Sequence, residues 1–118
     1  MAESNLKATL RVRISQSDMH YAGGIASGAK VMELFGDAAT EVLIRHDGDE
    51  GLFRAYQEVE FLAPVKAGDF LEVTATLTHI GKTSREMIFT AYKIIDSAKF
   101  LAKPILVAHA KGTCVVKK

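Results

Sequence analysis

The sequence contains one cysteine, Cys114, so no disulfide can form within the chain. The lone thiol fits a reducing compartment, and its place in an apolar strand pattern reads as a small core residue rather than a nucleophile. No apolar run approaches the ~20 residues that a membrane-spanning helix needs. The first residues, MAESNLKATLRVRI, lack the apolar core of a secretory signal. These absences together predict a cytoplasmic protein with no membrane partner. Charge of one sign is missing too: the formal net charge is +1. Without a basic excess, nucleic acid is not an expected partner. No Gly-x-Ser-x-Gly elbow exists, and the chain is too short for the hydrolase fold that carries one. His46-Asp47-Gly48-Asp49-Glu50-Gly51 lacks the distant Glu and flanking helices of a calcium loop. His46, His79 and His109 show no ligand spacing. No metal is expected.

What is present makes an ordinary globular core: 48% of residues are hydrophobic and 25% charged, which excludes disorder. A length of 118 residues predicts one domain spanning residues 1–118. The organising stretch is Ser27–Arg45. Val31, Leu34, Phe35, Ala38, Ala39 and Val42 repeat at helical spacing and form one stripe. Ser27 is the expected N-cap, and His46-Asp47-Gly48 supplies turn chemistry at the end. Gly36 costs about 1 kcal/mol against Ala in a helix, so a packing or access role is expected there.

The rest reads as strand. Leu6–Ile14 alternates apolar and basic or polar residues. Leu52–Ala63 alternates with Phe53, Ala55, Gln57, Val59 and Phe61 on one side, and Pro64 stops it. Phe70–Ile80 places Leu71, Val73, Ala75 and Leu77 on one face. Arg85–Ile95 follows, then a polar connection from Asp96 to Lys103, then Ile105–Val116. The small residues Ala108, Ala110, Gly112 and Cys114 suit close approach by the helix. The predicted class is α+β: one long helix against a five-stranded antiparallel sheet. Such a sheet has edges, and edges are often covered by a second subunit, which predicts a homodimer.

The order of elements resembles the hotdog fold, a central helix wrapped by an antiparallel sheet. Phe61-Leu62-Ala63-Pro64-Val65-Lys66-Ala67-Gly68-Asp69 resembles the Pro-Val-x-x-Gly-Asp turn of that fold, and Ile80-Gly81-Lys82-Thr83-Ser84 its Gly-Arg-Thr-Ser turn. Three further stretches are similar to the CoA-dependent ammonia lyases within it: Asp18-Met19-His20-Tyr21-Ala22-Gly23-Gly24, Leu34–Glu41, and Asp47–Phe53. With Glu58-Val59-Glu60-Phe61, the resemblance covers most of the chain. Those enzymes act on β-alanyl-CoA and 3-aminobutyryl-CoA in amino-acid fermentation. They usually carry Asn after the glycine pair and often Asp before the helix. This chain has Gly24 or Ile25, and Ser27.

The resemblance implies elimination of ammonia from a 3-aminoacyl thioester. Elimination needs a base for the proton next to the thioester carbonyl and a donor for the oxygen that gains charge. Glu33, Asp37 and Glu41 form an i, i+4, i+8 row on the helix. Asp37 and Glu41 are the candidate acids, on the expectation that a wrapped helix has little solvated face. His20 and Tyr21 are candidates to orient substrate or move a proton. Gly23, Gly24 and Gly28 are candidate sources of backbone N–H donors at the helix N-terminus. Lys66, Lys82, Thr83, Ser84 and Arg85 are candidate partners for the CoA phosphates. CoA is then part of the substrate, and no separate cofactor is expected. The expected assembly is a homodimer, with a trimer of dimers as its extension. Two alternatives stay open: hydrolysis of a short-chain acyl-CoA by the same loop and helix acid, and acyl-CoA binding without turnover.

Overall fold

The computed structural model describes residues 6–21 and 24–117. The elements in chain order are β1 (Lys7–Arg13), a 3-10 turn (Gln16–Asp18), β2 (Met19–Tyr21), β3 (Ile25–Ala26), α1 (Gly28–Asp47), β4 (Leu52–Phe61), β5 (Phe70–Ile80), β6 (Ser84–Asp96) and β7 (Lys99–Val115). The five long strands form one antiparallel sheet in the order β1-β5-β6-β7-β4, and β2 pairs with β3 in a small separate hairpin. Among the described residues no helix is long and apolar enough to cross a membrane.

The helix forms where its stripe predicts and ends two residues later. The Ser27 side chain accepts a hydrogen bond from the Ala29 amide at 2.9 Å, which satisfies one orphan donor. At the other end Gly48 takes φ 69 in the left-handed region, and its amide donates to the Ile44 carbonyl at 2.9 Å. Phe35, Ala38, Ala39 and Val42 are buried against the sheet, where Leu71, Val73, Ala75, Leu77, Met87 and Phe89 present one continuous apolar face. Phe35 stacks on Phe89 at 5.2 Å between ring centres. Each such large side chain contributes about 1.5–3 kcal/mol on burial, so this layer is the main source of stability.

Three features of the sheet differ from expectation. β4 does not alternate. Phe53, Tyr56 and Val59, three apart, are its half-buried positions. Register shifts against β7 between Phe53 and Ala55 and between Tyr56 and Glu58 insert extra residues, and each shift turns the following side chains over. Second, the polar connection from Asp96 to Lys103 is a two-residue turn at Ser97-Ala98, with Ser97 at φ 56, and β7 begins at Lys99. Third, the helix lies chiefly on β5 and β1. The missing side chain at Gly112 on β7 makes room for Phe53 of β4 instead: an added Cβ would stand 2.7 Å from that ring.

The Gly68-Asp69 turn is explained by packing. Asp69 is fully buried and accepts from the Lys66 amide at 2.8 Å and the Ser97 amide at 2.9 Å, with Lys93 Nζ at 3.1 Å. One carboxylate thereby ties the entry of β5 to the β6–β7 turn.

Candidate active site

The N-terminal end of α1 opens onto a cleft of about 400 Å³. One wall is the β2–β3 hairpin with Ser27 and Gly28, and the other is the segment Phe61–Val65. The Ala26 amide donates to the Val65 carbonyl at 2.7 Å, and Ile25 bridges to Lys66, so the hairpin is fastened to that segment. Val31, Phe61 and Val65 make the lining largely apolar. Two stretches far apart in sequence thus meet at the helix end, where the macrodipole is positive.

Tyr21 lines the cleft and is 57% exposed, while His20 is exposed beside it, its ring edge-on to Tyr21 at 4.7 Å. Gly24 holds φ 76, a conformation that favours glycine. Gly23 lies outside the described residues. Of the first-turn amides, that of Ala29 goes to Ser27 Oγ and that of Lys30 to the Ser27 carbonyl at 3.1 Å. The Gly28 amide has no partner among the described residues, so it is the donor available there. The space left by the absent Gly28 side chain is filled by the Phe61 ring, since an added Cβ would stand 2.9 Å from it.

The acidic row does not line this cleft. Glu33 pairs with Lys30 at 3.6 Å and Glu41 with Arg45 at 3.4 Å, while Asp37 is exposed. The sheet covers one side of the helix only, and the row lies on the other, so the expected shortage of solvated face is corrected for the single chain. Beside the row, Gly36 is an open notch: an added Cβ there would meet nothing within 4 Å. On the sheet side, the half-buried Tyr56 hydroxyl donates to the Met32 carbonyl at 3.4 Å, and burial, with a smaller contribution from Cys114, pushes its phenol up to about 12. Burial pushes the Cys114 thiol up to about 11, which keeps it protonated and unreactive near neutral pH.

The phosphate candidates are separated. Lys66 sits at the entry of β5 near the cleft, with Nζ 3.2 Å from Asp96. Lys82, Thr83 and Ser84 sit beyond the far end of that 11-residue strand, which spans about 35 Å. Lys82 and Thr83 are exposed. Arg85 is not: its side chain is 3% exposed and makes a two-pronged contact with Asp47, at 2.9 and 2.7 Å. A buried, paired guanidinium is not presented to a phosphate, and this corrects the expectation for Arg85.

One cluster was invisible in the sequence. On the outer face of the sheet, His109 Nε2 lies 2.7 Å from Glu60 and Nδ1 3.7 Å from Glu58. Their ligand atoms fall within 4.8 Å of one another, a set with the donor types to hold a cation. Only the pairing of Glu60 with His109 across β4 and β7 brings them together.

Residues 23–96 match the thioesterase superfamily. The 3-aminobutyryl-CoA ammonia lyase of Acetoanaerobium sticklandii is 54% identical, with 96% of each chain covered. The chain belongs to the hotdog-fold CoA-dependent ammonia lyases. Among solved structures, the β-alanyl-CoA ammonia lyase of Clostridium propionicum superposes with a TM-score of 0.92 at 30% identity, over 97% of this chain and 87% of that one. The acyl-CoA hydrolase of Staphylococcus aureus, bound to butyryl-CoA and CoA, shares the hotdog fold at 23% identity and a TM-score of 0.83, over 100% of this chain and 68% of that one. In this lyase family member, Tyr21, the start of the helix and the Pro64 segment are walls of one cleft.

Proposed function

We propose that this protein eliminates ammonia from a 3-aminoacyl-CoA, 3-aminobutyryl-CoA or β-alanyl-CoA, to give the enoyl-CoA. The observation that carries this reading is the 54% identity over 96% of the chain to a 3-aminobutyryl-CoA ammonia lyase. The apolar cleft at the positive end of α1 supports it, because a short acyl thioester fits such walls with its carbonyl oxygen toward the Gly28 amide. In the step, a carboxylate takes the proton from the carbon next to the carbonyl, those electrons form the new double bond, and the C–N bond breaks. Ammonia leaves, and the abstracted proton passes to it as ammonium. Asp37 or Glu41 is the proposed base, with His20 and Tyr21 orienting the substrate.

A second copy of the chain completes the site in this proposal. β4 is an edge strand with exposed Leu52 and Phe61, whereas the other edge, β1, carries Lys7, Arg11 and Arg13, charges that discourage pairing. Antiparallel pairing of two β4 edges sets the Phe61 end of one beside the Leu52 end of the other. Leu52 neighbours Val115, and Val115 neighbours Ser84, so the Lys82 turn lies two strands in from that end. Within one chain the cleft and this turn are about 30 Å apart, the length of a 20-residue helix. Across the dimer the turn of one protomer faces the cleft of its partner, where Lys82, Thr83 and Ser84 would meet the CoA phosphates. The partner would also cover the acidic row and desolvate it. The cytoplasm is the proposed location, in keeping with a lone buried thiol.

The deciding assay gives purified protein crotonyl-CoA and ammonium, following enoyl absorbance and free thiol together. Ammonium-dependent loss of enoyl absorbance without thiol is the expected result. Thiol release would make the protein a thioesterase, and silence in both channels with CoA-ester binding intact would make it a binder.

A further inference from the structure

We propose that Asp47 and Arg85 are positioning residues that hold the Gly81–Ser84 turn in a phosphate-binding shape. The inference rests on the reading above that this turn meets the CoA phosphates. Arg85 makes four hydrogen bonds with its neighbours. Nε and Nη2 go to the two Asp47 oxygens at 2.9 and 2.7 Å, and Nη1 donates to the Gly81 carbonyl at 2.9 Å and the Ser84 carbonyl at 2.8 Å. The remaining contacts complete the frame: the Gly81 amide donates to the Ser84 carbonyl at 2.9 Å and the Val116 amide to the Thr83 carbonyl at 2.9 Å. The carbonyls of Gly81, Thr83 and Ser84 are therefore all engaged on the inner side. The amides of Lys82 and Thr83 have no partner among the described residues, and both side chains are exposed. A turn with inward carbonyls and two unpartnered amides beside a lysine is suited to an anion.

Helix electrostatics alone do not explain Asp47. It is the last residue of α1, where an acid opposes the negative end of the helix dipole. Its side chain is only 2% exposed, and His46 Nδ1 lies 3.1 Å from the same carboxylate. A buried ion pair is a poor source of net stability compared with apolar side chains of similar volume. What this pair supplies is position: it connects residues 38 apart and sets the turn at a fixed place against the helix end.

The test compares binding of CoA with binding of pantetheine, which lacks the nucleotide and its phosphates, by calorimetry on the intact protein. In Asp47→Asn and in Arg85→Lys, the Kd for CoA is expected to rise about tenfold, equivalent to about 1.4 kcal/mol, with the Kd for pantetheine unchanged. Lys82→Ala is expected to show the same selectivity. Should Arg85→Lys be unfolded at the assay temperature, Asp47→Asn, nearly the same shape, carries the test. Equal weakening of both ligands, or Asp47→Asn and Arg85→Lys binding CoA like wild type while Lys82→Ala does not, overturns the positioning role alone. No selective loss in Lys82→Ala overturns the phosphate reading of the turn, and the inference with it. Ammonium addition to crotonyl-CoA, measured alongside, shows whether the lyase reading stands independently of either.

Discussion

The two ends of the central helix are built on opposite principles. At the N-terminal end a serine cap, a two-residue strand and Gly28 border an open cleft, and the Gly28 amide has no partner among the described residues. At the C-terminal end a buried carboxylate grips a buried guanidinium that in turn grips two carbonyls. One end is open and largely apolar, the other closed around a buried ion pair. On the functions proposed above, the buried charge serves a fixed distance and the open end serves access.

That contrast can be broken from either side. The largest expected effect is at the locked end. Arg85→Met takes the guanidinium away from the buried Asp47 carboxylate, and urea unfolding is expected to show a loss of about 3–5 kcal/mol. Next comes alkaline pH. The Cys114 thiol is raised from 9.0 to about 11 and the Tyr56 phenol from 10.0 to about 12 by burial. The folded chain keeps these protons after the unfolded chain has released them, so stability is full below pH 9 and falls as pH rises from 9 toward 12. For Cys114 the loss is about 2–3 kcal/mol, and Cys114→Ala is expected to flatten the decline between pH 9 and 11 in urea midpoints measured against pH. At the open end, Ser27→Ala is expected to cost about 1 kcal/mol, the worth of one cap, in the same unfolding measurement. The smallest effect on stability is expected from Gly28→Ala. The Phe61 ring must shift to admit the new methyl, and the change is expected to stay within about 0.5 kcal/mol in thermal unfolding. Its readout is instead the KM for the acyl-CoA, which is expected to rise as the cleft narrows. If Gly28→Ala unfolds the protein while Arg85→Met does not, the assignment of an open and a locked end is reversed.

Much of this arrangement is readable from residue order. Ser27 as cap, the stripe from Val31 to Val42, and the alternation of Leu71, Val73, Ala75 and Leu77 all express a period that burial imposes on local structure. The order of residues marks Tyr21 and Gly28 as site candidates and the Pro64 segment only as a turn of the fold; the structure sets Tyr21, Gly28 and Phe61–Val65 around one cleft. The misreadings have a common cause. The residue order of β4 predicts alternation, but its inward residues fall at Phe53, Tyr56 and Val59 because of two register shifts that exist only against β7. Arg85 sits in a turn motif beside Lys82 and reads as exposed; only the return of the helix end, 38 residues away, buries it. The helix was expected to be covered nearly all round, and Asp37 proved to be exposed.

By itself, then, the order of residues determined the long helix, the five long strands, the apolar faces of α1 and β5, and the family, because periodicity, capping and motif spacing are local properties carried by neighbouring side chains. Tertiary structure alone decided which charges are buried, which glycine admits a ring, and how far Lys82 stands from the cleft. Those quantities depend on register and on contacts between residues distant in the chain, and a charge is desolvated by whatever packs over it, not by its neighbours in sequence.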